Sequence, residues 1–178
     1  MLEARPLRPP LLTMADIPFD FAPLTPDDLI AISRLDARAF GPGRFAKSAY
    51  RLREGVDPDW NLSFVARIGT LLVGANRITP VLCGGKPALL LGPLTVEPAF
   101  RSRGLGEALV MKSLEAARAA GHALVLLVGD APYYERLGFR PVPRGQLAMP
   151  GPVDPVRLLC CELQDGALAA AKGKVTRV

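Results

Sequence analysis

Two stretches of the chain are apolar at almost every position: ALLLGPLTV at 88–96 and HALVLLVG at 122–129. Unbroken apolar runs of this length predict strands covered on both faces. Between them Leu105, Ala108, Leu109, Leu114 and Ala117 recur at helical spacing and form an apolar stripe, which Gly121 ends. A strand–helix–strand crossover over 88–128 follows, and its right-handedness makes the two strands parallel neighbours or near neighbours.

Upstream, IPFDFAPLT reads as a short strand or extended entry. In TPDDLIAISRLDARAF, Thr25 is a plausible N-cap, Pro26 takes the first helical position, and Leu29, Ile32, Leu35 and Ala39 mark a helix that GPG at 41–43 stops. RFAKSAYRLREG predicts a second short helix ending at Gly55. LSFVARIGTLLVGANRITPVL predicts two strands across a tight turn near Gly69 and Thr70, and CGGKP turns the chain into the strand at 88–96. Downstream, APYYERLG is a short helix with Pro132 near its start, FRPVP begins a strand, and VRLLCCELQ reads as the last strand. The order α α β β β α β α β β predicts one mixed α/β domain over 17–178. It lies behind a flexible extension at 1–16 that carries Pro6, Pro9 and Pro10.

Composition narrows the function classes. A chain of 178 residues, 49% hydrophobic and 22% charged, has the balance of one soluble globular domain. It has no apolar run of the ~20 residues a membrane helix needs, and its start has no h-region, so a cytoplasmic protein is expected. The net charge of +5 suits an anionic partner, but the basic residues are dispersed and read as solvated surface. A nucleic-acid partner is not expected, because there is neither a basic cluster nor an interleaved aromatic motif. Cys83, Cys160 and Cys161 are odd in number and lack CxxC spacing, and His122 is the single histidine. No metal site is expected, and buried free thiols imply a reducing compartment.

The stretch FRSRGLGEALV at 100–110 carries the candidate chemistry. A helix N-terminus holds backbone N–H groups with no internal partner, and the macrodipole adds positive charge there. Gly104 and Gly106 expose those donors, and Arg101 and Arg103 add full charges. The combination suits a phosphate or pyrophosphate; a loop with boundary glycines and two surface arginines is the plain alternative. It is neither a nucleotide P-loop nor the dinucleotide fingerprint, since neither spacing occurs.

LGPLTVEPAFRSRGLGEALV resembles the acetyl-CoA-binding motif of the GNAT superfamily of acetyltransferases, in which an Arg or Gln is followed by Gly and Gly or Ala; Arg101, Gly104 and Gly106 match it. YYERLGFRPV, about thirty residues on, resembles the second family motif. The resemblance runs from about Phe19 to the C-terminus. It implies a mixed, mostly antiparallel central sheet, with one parallel strand pair splayed around the cofactor and helices on both faces. It further implies acetyl transfer from acetyl-CoA to a primary amine of a small molecule or peptide, in a monomer or homodimer. A CoA-binding sensor of the same fold is the alternative.

Under the resemblance, the backbone of Arg101, Ser102, Arg103, Gly104, Leu105 and Gly106 holds the CoA pyrophosphate. Leu94, Thr95 and Val96 pair with the pantetheine, and the Val96 amide region faces the thioester. Tyr134 matches the tyrosine that protonates the leaving thiolate, Tyr133 packs beside it, and Arg136 reaches a CoA phosphate or caps its helix. The general base is not legible: Glu97 is the nearest acid, but strand alternation turns it away from the face of Val96. Many members carry an asparagine in the segment before the tyrosine; here that link is short, GDAP, and Asp130 stands nearest. Phe40, Phe45, Asn76 and Arg77 are candidates for the acceptor side, although Phe40 and Phe45 read first as ordinary core.

Overall fold

The computed structural model describes residues 18–43 and 47–178. The expected extension at 1–16 and the candidate Phe45 lie outside the described residues. The strands are β1 (Asp20–Pro23), β2 (Phe64–Ile68), β3 (Leu71–Cys83), β4 (Lys86–Val96), β5 (Leu124–Val128), β6 (Arg140–Pro141), β7 (Leu147–Ala148), β8 (Leu158–Glu162) and β9 (Gly173–Arg177). The helices are α1 (Leu29–Phe40), α2 (Ser48–Arg53), α3 (Leu105–Ala119), α4 (Ala131–Glu135) and α5 (Ala167–Ala170).

The sheet runs in the order β1-β2-β3-β4-β5-β8-β6, and β9 joins the far end of β3. Neighbours along this path are antiparallel except β4 and β5, which are parallel, as the crossover through α3 requires. The mixed sheet with one parallel pair, expected from the apolar runs and the family resemblance, is therefore the fold observed.

Helices cover both faces, and Val73 and Ala75, two apart on β3, meet opposite ones because the pairing of β2 with β3 shifts by one residue between Ala66 and Arg67. Ala66 and Val73 pack with Leu105 and Leu109 of α3. Val65 and Ala75 pack with Ile32 and Leu35 of α1 on the opposite face. A short turn precedes α1, in which the Asp28 carboxylate accepts from the Thr25 amide at 2.9 Å and its hydroxyl at 3.0 Å. This is the expected cap, displaced by one short 3-10 turn over Pro26–Asp28.

The C-terminal region differs from the sequence reading. VRLLCCELQ is not the last strand: β8 lies inside the sheet between β5 and β6, and a short helix and a further strand follow it. β3 has thirteen residues, and its last three, Val81–Cys83, extend past β2 and pair with β9. The three cysteines are free and buried, and burial pushes the Cys83 thiol up to about 11.

Candidate active site

The parallel pair does not run the length of its strands. Leu89 faces Val125 and Leu90 faces Leu126, and there the pairing ends. The cause lies on the other edge of β4. Asn76 faces Leu94 and Ile78 faces Leu91, so Gly92 and Pro93 together stand opposite the single residue Arg77. A bulge of this kind bends its strand and breaks the ladder. Pro93 has no N–H to offer a neighbour, and Gly92 holds φ at +116°, a conformation that favours glycine.

The separation opens a cavity of about 920 Å³. Leu91 and Leu94 line it from β4, Leu127 and Val128 from β5, and α1, α2 and Arg77 in the middle of β3 close the far side. Tyr134, on α4, lines it as well. Gly129 makes room for that ring, since a Cβ there would stand 2.4 Å from Tyr134 Cε2. The ring meets Tyr133 and Phe139 edge-on at 4.9 and 5.7 Å. Burial first, and then the neighbouring Tyr133, push the Tyr134 phenol up to about 12, while Arg157 acts in the opposite sense. The group therefore keeps its proton at neutral pH.

The turn from β4 into α3 ends in Gly104, a left-handed N-cap with φ +74°, and Ser102 is also left-handed at φ +60°. No amide from Ser102 to Glu107 donates to a backbone carbonyl among the described residues; the first to do so is Ala108, which donates to Gly104 at 2.9 Å. Six successive donors are thus available, the cradle that a phosphate requires. Arg101 turns back, its Nε donating to the Val96 carbonyl at 3.1 Å. Arg103 lies over the Phe19 ring at 5.2 Å, with a buried Nη1 that has no partner among the described residues.

Gly106 is closest to a neighbour that the sequence did not suggest. A Cβ there would stand 2.6 Å from the Tyr133 hydroxyl, with Leu94 Cδ2 next at 3.6 Å. Tyr133 is in turn covered by Arg136, 5.4 Å from its ring, and Arg136 pairs with Glu107 at 2.9 Å. Alanine is worth about 1 kcal/mol more than glycine in a helix, so the hydroxyl is what opposes Gly106→Ala. Gly106→Ala is expected to stabilise a Tyr133→Phe background by about 0.5–1 kcal/mol but to leave the parent unchanged. Urea midpoints of the four proteins in the cycle check this; an equal effect in both backgrounds would remove the contact from the account.

The remaining candidates separate. Leu94, Phe40, Arg77 and Asp130 line the cavity. Asn76 does not: fully buried, it donates to Ser113 Oγ of α3 at 2.9 Å, on the face away from Arg77. Glu97 is held in an ion pair with Arg38 of α1. Thr95 turns toward α1, where its hydroxyl donates to Asp36 at 2.5 Å. Asp36 and Arg53, neither singled out in the sequence, both line the cavity. Only the packing of α1 and α2 on the sheet brings them there, and no local motif marks them.

A parallel pair opened by a bulge, beside a helix N-terminus rich in free amides, defines an acyltransferase-like α/β domain. Residues 59–141 match the family model described as an acetyltransferase (GNAT) domain. The chain is 31% identical to the uncharacterized N-acetyltransferase YjhQ of Escherichia coli K12 over 138 residues, 75% of this chain and 76% of that protein. It is 30% identical to the uncharacterized N-acetyltransferase YhbS of the same strain over 153 residues, 84% of this chain and 90% of that one. The crystal structure of Escherichia coli YhbS in complex with CoA matches with a TM-score of 0.76 at 27% identity, covering 90% of this chain and 89% of that chain. A GNAT acetyltransferase from Brucella melitensis in complex with acetyl-CoA matches at 0.58 and 26%, covering 80% of this chain and 95% of that chain. The chain belongs to the GNAT family of acetyltransferases.

Proposed function

We propose that the protein binds acetyl-CoA and transfers its acetyl group to a primary amine, by direct attack with both substrates bound. The observation that carries this reading is the opening between β4 and β5, with Tyr134 on its wall and the free amides of α3 at its edge. The residues fit the cofactor. The amides of Ser102 to Gly106 suit a pyrophosphate, with Arg101 and Arg103 beside them and Arg136 within reach of a further phosphate. The backbone of Leu94, Thr95 and Val96, freed from β5, has the spacing to pair with an extended amide chain.

Acetyl-CoA supplies an acetyl carbon activated as a thioester, whose carbon–sulfur bond is exchanged for a carbon–nitrogen bond to the amine. The chain's own contribution is orientation and proton placement. Backbone N–H groups near Val96 are donors for a developing oxyanion. Tyr134 holds a proton at Oη inside the cavity and is positioned to give it up to the leaving sulfur, and the proton shed by the amine nitrogen passes to solvent, from which the phenol is restored. The low-dielectric wall of Leu91, Leu94 and Leu127 strengthens both effects.

Thermal melting and thiol release test the reading together. Acetyl-CoA at one hundred times its Kd is expected to stabilise the protein by about 2.7 kcal/mol. Incubation with an amine panel is expected to release free thiol. Stabilisation without thiol release from any amine would make the domain a sensor instead of an enzyme, and no stabilisation at millimolar acetyl-CoA would remove both.

A further inference from the structure

The acceptor end of the cavity holds two guanidinium groups that the reaction above does not use. Arg53 comes from α2 and Arg77 from the residue of β3 opposite the β4 bulge, and both line the cavity. Arg53 Nη1 lies 3.4 Å from where a Cβ on Gly92 would stand, so it reaches the bulge that opens the parallel pair. Arg53 makes no ion pair or hydrogen bond among the described residues. Among the described residues Arg77 makes one hydrogen bond, from Nη2 to the Val56 carbonyl, and its buried Nε has no acceptor.

Burial and mutual repulsion both act against this arrangement. Burial first, and then the charge of Arg77, lower the Arg53 guanidinium to about 10, and burial lowers Arg77 as well. Asp36 and Asp57 act in the opposite sense on Arg77, and Asp36 does so on Arg53. The other charged groups lining the cavity, including Lys47, Glu54 and Arg157, are exposed. The half-buried set is therefore two cations and the single carboxylate Asp36, which already accepts from Thr95. A guanidinium withdrawn from water is costly unless an anion meets it, and two of like sign are costlier. Planar guanidinium forks bind carboxylate and phosphate with paired hydrogen bonds.

We propose that Arg53 and Arg77 together bind an anionic group, carboxylate or phosphate, carried by the acceptor close to its amine. The word acceptor here rests on the acetyl-transfer reading; the anion site does not. An anion held by both arginines sits in the same cavity as Tyr134, so amine and anion belong to one small molecule or chain end.

Two measurements test this separately. In the first, the protein is saturated with CoA, which fills the phosphate cradle of α3, and its melting temperature is followed against inorganic phosphate and against acetate. A rise is expected with at least one of them, and which anion acts at lower concentration tells phosphate from carboxylate. Arg53→Met and Arg77→Met are each expected to raise the half-maximal anion concentration at least tenfold, while CoA stabilises them as it does the parent. Arg53→Lys and Arg77→Lys, which keep the charge, serve if either Met variant does not fold, and weaker anion binding is again expected because the paired fork is lost. No anion-dependent rise in the parent, or the same rise in the variants, overturns the site.

In the second, thiol release is compared between phosphoethanolamine and ethanolamine, and between lysine and cadaverine. The anionic member is expected to have at least tenfold higher kcat/KM in one pair, and the arginine variants are expected to abolish that preference. Equal use of both members in each pair overturns the acceptor assignment. If no amine is acetylated while the melting shift still depends on Arg53 and Arg77, the acetyl-transfer reading fails and the anion site stands.

Discussion

Gly84→Ala is expected to cost about 3–4 kcal/mol of stability, in the range of the most damaging single substitutions. Gly84 opens the turn between β3 and β4 with φ +57°. A Cβ there would stand 1.6 Å from the Lys172 carbonyl oxygen and 2.7 Å from its carbon. Both atoms are backbone, so no side-chain rotation relieves the overlap. The Gly84 amide also donates to the Lys174 carbonyl at 2.9 Å, which fixes the approach of the two segments. The methyl group must push the C-terminal segment away. That separates β9 from Val81–Cys83 and exposes Val175 and Ala171, both buried in the core shared by β3, β8 and β9. Gly85→Ala is the control. Its φ is +81°, but nothing lies within 4 Å of the added atom, so it carries only the backbone penalty of about 1 kcal/mol. Urea midpoints measured on both variants decide: equal losses would mean that the turn conformation, not the docked C-terminus, sets the cost.

That contact also explains why the end of the chain was not legible in sequence. The core strands declare themselves because β4 and β5 are buried on both faces and read as apolar runs. In β9 only Val175 is buried, and α5 has four residues, so neither carries a period long enough to detect. The strand exists because β3 outruns β2 and leaves an edge at Val81–Cys83, a consequence of tertiary length matching. The site divides in the same way. Gly104, Gly106 and Tyr134 sit in short motifs, while Arg53 and Asp36 reach the cavity from helices whose placement only the folded sheet determines. Asn76 and Arg77 show an error that alternation could have prevented. Adjacent strand residues point to opposite faces, so only one of them could meet the acceptor.

Tyr134→Phe is expected to lower kcat by about 10²–10⁴-fold, the usual contribution of a positioned proton donor. The substitution isolates that role because it removes little else. The ring keeps its edge-on contacts with Tyr133 and Phe139, and the Tyr134 hydroxyl donates to no acceptor among the described residues. Acetyl-CoA stabilisation should therefore persist, and KM for the amine should change far less than kcat. The phenol's position near 12 fixes the pH behaviour. Its proton is present throughout the neutral and mildly alkaline range, so loss of the acid form does not limit the rate below about pH 10. Stability carries the same signature. The folded group is raised above its unfolded value of about 10, so its contribution is complete below that pH and is lost as pH rises through about 12. The Phe variant should lack that alkaline loss while keeping the parent's melting temperature near neutral pH. An unchanged kcat in Tyr134→Phe would transfer the proton to solvent or to another group; a lowered kcat with the alkaline stability loss removed would tie both effects to the one hydroxyl. The two readouts answer to different consequences of the same burial, which raises the phenol's pKa by withdrawing it from water and, in doing so, keeps its proton beside the opening between β4 and β5.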